Sequence, residues 1–177
     1  LDLMFGYHME DDPALVSHRL SREETVLAVP EPMAAECLSP EEIRGFKEEG
    51  IVSLRPFSGC PFVRMDADTW MGEQFDRYCR EDGFDPKIFV ISQSVLTVLE
   101  CCAEGIGATL VPAGYLDHLT AEQRRGMVFF RWRYPDVTLL GAVLHLKSSY
   151  ITKAAMDFVK CSQKICGEEE SLWNGFF

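Results

Sequence analysis

An alternation of strand-like and helix-like segments between residues 60 and 112 most limits what this 177-residue chain can fold into. Short apolar runs that read as buried strands occur at 60–65, 86–92 and 108–112. Between them, apolar residues recur at helical spacing from Thr69 to Gly83 and from Val95 to Gly105. Because strands joined by helices over short connections lie parallel, the order predicts an α/β fold with a parallel sheet.

The stretch "CAEGIGATLVP" (102–112) carries a G-x-G after a predicted helix and before a predicted strand. A dinucleotide-binding fingerprint has the opposite order, because the phosphate binds at the amino terminus of the helix that follows the glycines. We therefore interpret Gly105 as the residue that ends the helix with a positive φ. Gly107 is expected to allow a tight turn into the strand, and the nucleotide interpretation is excluded.

The flanking segments predict fewer regular elements. Residues 1–6 and 18–30 read as extended, and the Pro-rich "PEPMAAE" (30–36) is interpreted as a linker. Ser39, Pro40 and Glu42 fit a capping box that opens a short helix. After a polar stretch, the chain is expected to form two extended runs, at 127–134 and 137–147, and then a terminal helix over 151–165. The acidic, aromatic tail 167–177 is expected to be poorly ordered.

Charge and cysteine content exclude several function classes. A formal net charge of −11 opposes binding of nucleic acid by these residues themselves. No apolar stretch is long enough to span a membrane. The seven cysteines are an odd number without paired spacing, which favours a reducing cytoplasm and a site without metal. The chain lacks an initiator Met and opens within a predicted strand, so we expect it to begin inside a larger protein.

The stretch "FDPKIFVISQSVLTVLECCAEGIGATLVPAGYL" resembles the second half of the effector-binding domain of LysR-type transcriptional regulators. In that family a strand leads into a helix, a glycine turn and a strand that ends in Pro. Three further stretches are similar in order and spacing: "LDLMFG", "HRLSREETVLAVP" and "GAVLHLKSSYITKAAMDFV". Together the similar segments cover most of residues 1–165.

The resemblance implies two Rossmann-like lobes of the type 2 periplasmic-binding-protein fold, with a small effector between them. The first lobe would be 1–30 with 144–166, and the second 31–143. The family also implies a homo-oligomer, no cofactor, and DNA binding only through an upstream winged helix-turn-helix that these residues do not contain. The opening βα units of the first lobe are missing as well, so we expect that lobe to be incomplete.

Candidate ligand-binding residues follow from the rule that ligands bind beyond the carboxyl ends of strands, near helix amino termini. Three predicted loops meet it, and the residues that we single out are Gly6, Tyr7, Arg64, Met65, Asp66, Thr69, Ser92, Gln93 and Ser94. Arg64 would clamp a carboxylate or form an ion pair with a nearby acid. Ser92 or Ser94 would donate to the ligand or cap the following helix.

Three other functions were weighed against effector sensing. Asp66 and Asp68 after a buried strand resemble a phosphoryl-transfer site, but Trp70 stands where that pattern needs Thr, and Asp68 is equally explained as a helix cap. Cys60 and His8 have no local signature of nucleophilic catalysis. The third function is redox sensing, which one branch of the LysR family performs with a reactive Cys after the first strand of the second lobe. Here that loop reads "DADTW" and has no Cys, and Cys79 on the apolar face of a predicted helix is expected to be inert. We conclude that the chain is no enzyme; a solute-binding protein of the same fold is the alternative.

Overall fold

The computed structural model describes residues 2–7, 12–133 and 139–168. These residues fall into two compact units, one formed by the chain up to Glu23 and from residue 139 onward, the other by residues 24–133. The strands are β1 (Met4–Tyr7), β2 (Leu15–Glu23), β3 (Thr25–Pro30), β4 (Pro61–Met65), β5 (Lys87–Ser92), β6 (Thr109–Pro112), β7 (Met127–Arg131) and β8 (Leu139–Leu146). The α-helices are α1 (Glu31–Cys37), α2 (Pro40–Glu49), α3 (Trp70–Asp82), α4 (Val95–Ala103), α5 (Ala121–Arg125) and α6 (Lys153–Glu168), and 3-10 turns span Arg55–Phe57 and Ala113–His118.

The first unit is an antiparallel sheet of order β1-β8-β2 with one helix. β8 is the central strand and pairs with β1 through Phe5↔Val143 and with β2 through His18↔Val143. Helix α6 packs against β2. The Gln163 side chain donates from Nε2 to the Arg19 carbonyl oxygen at 3.0 Å, which ties the helix to this edge of the sheet.

The second unit combines an antiparallel sheet of order β6-β3-β7 with the parallel pair β4-β5. A parallel bridge between Phe62 and Ala108 joins β4 to the residue just before β6. All six residues of β3 are buried, because β3 is flanked by strands on both edges and α4 packs against it. The parallel pair with its helices α3 and α4 confirms the α/β prediction for this part of the chain.

The glycine connector behaves as expected and adds a close contact. Gly105 has φ 78°, and the amides of Gly105 and Ile106 donate to the carbonyls of Cys102 and Cys101, a Schellman-type helix end. At Gly107 an added Cβ would lie 2.7 Å from the Pro61 carbonyl oxygen. The second glycine is therefore needed because the backbone passes directly against the start of β4.

The structure corrects one expectation about the connecting segments and adds a helix to another. Residues 30–36 are no linker: Pro30 ends β3, and residues 31–36 form most of α1. Pro32 lies in the first turn of that helix, where the amide groups have no partner within the helix. The polar stretch before β7 contains helix α5, which Thr120 and Gln123 open with a capping box.

The extended run 18–30 also divides differently from the sequence interpretation. It forms two strands that separate at Glu24, β2 in the first unit and β3 in the second. Residues 25–30 are predicted to belong to the first lobe, whereas in the structure they form β3 and pair with β6 and β7. The terminal helix is confirmed as α6, while the predicted tail lies, from residue 169 onward, outside the described residues. Within the described part of the chain, no helix is long and apolar enough to cross a membrane.

Candidate functional site

The carboxyl ends of β4 and β5 lie side by side in the second unit. Met65 pairs with Ser92, and the Asp66 amide donates to the Ser92 carbonyl oxygen at 2.9 Å. Helix α3 begins at Trp70, after the four residues 66–69 that follow β4, and α4 begins at Val95, soon after β5. The structure therefore brings the two predicted loops of this unit, 64–69 and 92–94, to one edge of the parallel pair beside two helix amino termini.

Thr69, and not Asp68, caps helix α3. Its Oγ1 accepts the Gly72 amide at 3.1 Å and donates to the Asp66 carbonyl oxygen at 2.6 Å. The Asp66 carboxylate accepts the Asp68 amide at 3.0 Å, so one of its oxygens holds the turn. The alternative role of Asp68 as helix cap is therefore wrong, because Thr69 is the residue with extended backbone at the cap position.

Gly72 is a residue of this loop that the sequence analysis does not single out. A Cβ at this position would overlap the Asp66 carbonyl group, so only glycine lets the first turn of α3 approach the loop. No local signal marks this position, because any residue except proline could supply the amide that Thr69 accepts.

Ser94 caps α4, and Ser92 shapes the turn that precedes it. Ser94 Oγ accepts the Thr97 amide at 3.3 Å, and Ser92 Oγ accepts the Ser94 amide at 3.2 Å. In both bonds the serine is the acceptor, so each hydroxyl retains its own hydrogen as a donor. Gln93 between them is exposed. Capping and donation to a ligand are therefore compatible at this loop.

Arg64 has the ion-pair geometry that the sequence analysis left open as its alternative. Its Nη1 lies 2.6 Å from Asp76 Oδ1 on α3, and the guanidinium carbon lies 5.9 Å from the centre of the Phe75 ring. The Arg64 side chain is only 13% exposed. Met65 beside it is buried and contributes to packing. Arg64 as an anion clamp stays a prediction that must compete with this ion pair.

The remaining predicted residues, Gly6 and Tyr7, belong to the first unit. They form the end of β1, where Gly6 pairs with Ala142 and Tyr7 with Gly141. Among the described residues, a Cβ at Gly6 would meet nothing within 4 Å, so none of them demands glycine there. His8, the proposed base for Cys60, lies outside the described residues.

Neither metal chemistry nor a reactive thiol is indicated at the second unit's site. Over 2–7, 12–133 and 139–168, no group of three His, Cys, Asp or Glu side chains could hold a metal ion. Burial raises the pKa of the Cys79 thiol to about 12, and burial also raises the pKa of Cys102. Both thiols are protonated near neutral pH and are poor nucleophiles, as expected for Cys79.

The family model of the LysR substrate binding domain matches residues 1–166. The chain belongs to this family. Membership confirms the resemblance found in the sequence and the α/β fold class with the type 2 periplasmic-binding-protein architecture. It also establishes an effector-sensing regulatory role, and it does not favour the solute-binding or phosphoryl-transfer alternatives.

Solved structures similar to this LysR domain show the same fold at low sequence identity. The effector-binding domain of QuiR in complex with shikimate has a TM-score of 0.67 at 16% identity, with 94% of this chain and 72% of that chain covered. HinK, a LysR family regulator from Pseudomonas aeruginosa, has a TM-score of 0.66 at 22% identity, with 94% of this chain and 53% of that chain covered. Full-length CbnR in complex with its target DNA has a TM-score of 0.63 at 12% identity, with 94% of this chain and 52% of that chain covered.

The LysR domain therefore spans about half the length of the full-length regulators that it matches. A search of curated proteins found no match.

Proposed function

We propose that this LysR domain binds a small anionic metabolite at the carboxyl edge of β4 and β5. The donors would be the hydroxyls of Ser92 and Ser94, the Gln93 amide and the amino-terminal amides of α3 and α4. The observation that carries the proposal is the Asp66–Ser92 backbone bond, which holds the two strand-end loops of this edge together. Two helix amino termini at one edge favour a negative charge.

Regulation would follow from a difference in affinity between two arrangements of the domain. We propose that the effector stabilises one of these arrangements, and Gly6 and Tyr7 of the first unit stay predicted ligand-binding residues. The response would be passed to a DNA-binding part carried upstream, in a cytoplasmic homo-oligomer. Support for that partner comes from the full-length relative solved with its target DNA.

In this proposal the LysR domain binds its effector without catalysing a reaction. The Asp66 carboxylate accepts a backbone amide of its own loop, which gives it a structural role in the turn. Cys60, the candidate nucleophile, is buried, and burial raises the pKa of its thiol. A protonated, buried thiol is a weak nucleophile. These features support an effector site over a catalytic one.

A thermal-shift screen tests the proposal with shikimate, benzoate and succinate as probes. A carboxylate at a hundred times its dissociation constant adds about 2.7 kcal/mol of stability. For a domain of this size the expected rise in Tm is on the order of 5–10 °C. The panel is run on this chain and on a form extended upstream, and a rise in either supports effector binding.

Variants locate the ligand on the second unit. Gln93→Ala is expected to reduce the ligand-induced rise in Tm, because it removes an exposed amide from the edge. Ser58→Ala is the matched control: it is exposed in the same unit but lies before the amino end of β4. Equal loss in both variants, or no rise with any carboxylate on either form, would refute the proposed anion site.

A second pair of variants decides the role of Arg64. Arg64→Ala removes the guanidinium, whereas Asp76→Asn removes only the charge that it pairs with. Each is expected to cost about 1–2 kcal/mol of stability, because the pair is hydrogen bonded and partly buried. If Arg64 also clamps the ligand, only Arg64→Ala abolishes the ligand-induced rise. If both variants retain it, Arg64 is a packing residue.

A further inference from the structure

Two cysteines distant in sequence meet in the second unit, away from the candidate ligand site. Cys37 is the last residue of α1, and Cys60 immediately precedes β4, so the two are 23 positions apart in the sequence. Their Sγ atoms lie 2.9 Å apart. The Cys60 amide donates to the Phe57 carbonyl oxygen at 2.9 Å, which fixes the turn that presents its thiol to α1.

The two thiols differ in access. Cys37 is half-buried, so a small oxidant can reach it, while Cys60 is 2% exposed. A disulfide has an S–S length of about 2.04 Å, so the sulfurs need to approach by only about 0.9 Å. Such proximity supplies the effective concentration that a buried, protonated thiol otherwise lacks as an attacking group.

We propose that Cys37 and Cys60 form a reversible intramolecular disulfide when the protein meets a hydroperoxide. The Cys37 sulfur attacks a peroxide oxygen, the O–O bond breaks, and a sulfenic acid and one water form. The Cys60 sulfur then attacks the Cys37 sulfur, the S–O bond breaks, the S–S bond forms and a second water leaves. Two thiols are oxidised by two electrons in all, their two protons enter the waters, and hydrogen peroxide is reduced to water.

The disulfide would join the end of α1 to the start of β4. It closes the chain segment 37–60, which contains α2, and so restricts the unfolded second unit. Cys60 directly precedes the amino end of β4, and the candidate ligand loop follows the carboxyl end of the same strand. The inference does not rest on effector binding, because the geometry of the thiols is independent of that loop.

Peptide mapping of the oxidised protein tests the proposal. The full chain is treated with stoichiometric hydrogen peroxide, alkylated and digested without reduction. We expect one cross-linked peptide joining Cys37 to Cys60, and a thiol count in denaturant that falls from seven to five. The Tm should rise by about 5–10 °C. Dithiothreitol should restore both the thiol count and the original Tm.

Two variants serve as test and control. Cys37→Ser should abolish the cross-link and the rise in Tm, while Cys161→Ser, at an exposed position on α6, should leave both unchanged. Replacement of the half-buried Cys37 avoids a change inside the core. The proposal is overturned if Cys37 is recovered as a sulfinic acid beside a free Cys60, if the peroxide-dependent cross-links run through Cys161, or if all seven thiols survive.

Discussion

The two units bury apolar surface to very different degrees. In the second unit every residue of β3 is buried, and its core continues through aromatic contacts such as Phe57–Phe130, with ring centres 5.4 Å apart. Among the described residues of the first unit, the buried apolar side chains are Ala142, Val143, Leu144 and Val159. Met4, Phe5 and Phe158 remain about half exposed.

The difference shows where the fold's stability is concentrated. Buried apolar area is the main favourable term in folding, so the second unit supplies most of it. It also holds the rigid strand ends of the candidate ligand site. The first unit depends on one central strand, β8, which contributes three of its four buried apolar residues. We therefore expect the first unit to open at a lower free energy than the second.

Truncation of one aromatic side chain in each unit should show the largest contrast. Phe130→Ala removes a fully buried ring from the second unit and is expected to cost about 3–5 kcal/mol. Phe158→Ala removes a side chain that is 47% exposed and packs edge-on against Phe5, and should cost less than about 1.5 kcal/mol. Urea denaturation measures both, and amide exchange of residues 141–146 against 26–29 reports the unit affected. Equal costs would contradict the contrast.

A pair of helical glycines sharpens the contrast within the second unit. Gly72→Ala forces a Cβ into the Asp66 carbonyl group and should cost about 1–3 kcal/mol while displacing the ligand loop. Gly45→Ala in α2 meets nothing within 4 Å and should stabilise the protein by up to about 1 kcal/mol. Thermal unfolding compares the two variants. If Gly72→Ala is neutral, the first turn of α3 does not need its close approach to the loop.

Local signals explain which parts of the fold were predictable. The order β4-α3-β5-α4 follows from apolar periodicity and from residues that act nearby, namely the caps Thr69 and Ser94 and the glycines 83 and 105. Each of these signals operates within a few residues, so the sequence alone carries it. Loops 64–69 and 92–94 could be predicted to lie at one edge because the carboxyl ends of neighbouring parallel strands meet there.

Long-range partners explain what could not be predicted. The apolar run 25–30 is compatible with either unit. Only its pairing with β6 (109–112) and β7 (127–131), far along the chain, decides that it belongs to the second unit. Arg64 has many acids nearby in sequence, and Asp76 is selected by the packing of α3 on β4. Cys37 and Cys60 share no local motif and meet only because α1 packs beside the turn before β4.

The smallest expected effect is a pH dependence confined to the first unit. His18 on β2 stacks on His145 of β8, with ring centres 5.2 Å apart, and its buried Nε2 has no hydrogen-bond partner among the described residues. Burial, and secondarily the neighbouring His145, lowers the pKa of His18 below its ordinary value of 6.5. The unfolded chain therefore binds a proton more readily than the folded one between these two pKa values.

This sign fixes the direction of the experiment. The stabilising contribution of neutral His18 is fully present above the unfolded pKa and is lost as the pH falls through the folded one. We expect amide exchange of residues 141–146 to accelerate between pH 7.5 and 5.5, relative to that of residues 26–29 after correction for intrinsic rates. His18→Gln should remove most of this dependence, whereas His118→Gln, in the exposed turn of the second unit, should leave it unchanged. A wild-type protein whose two units respond equally to acid would show that the histidine stack does not distinguish them.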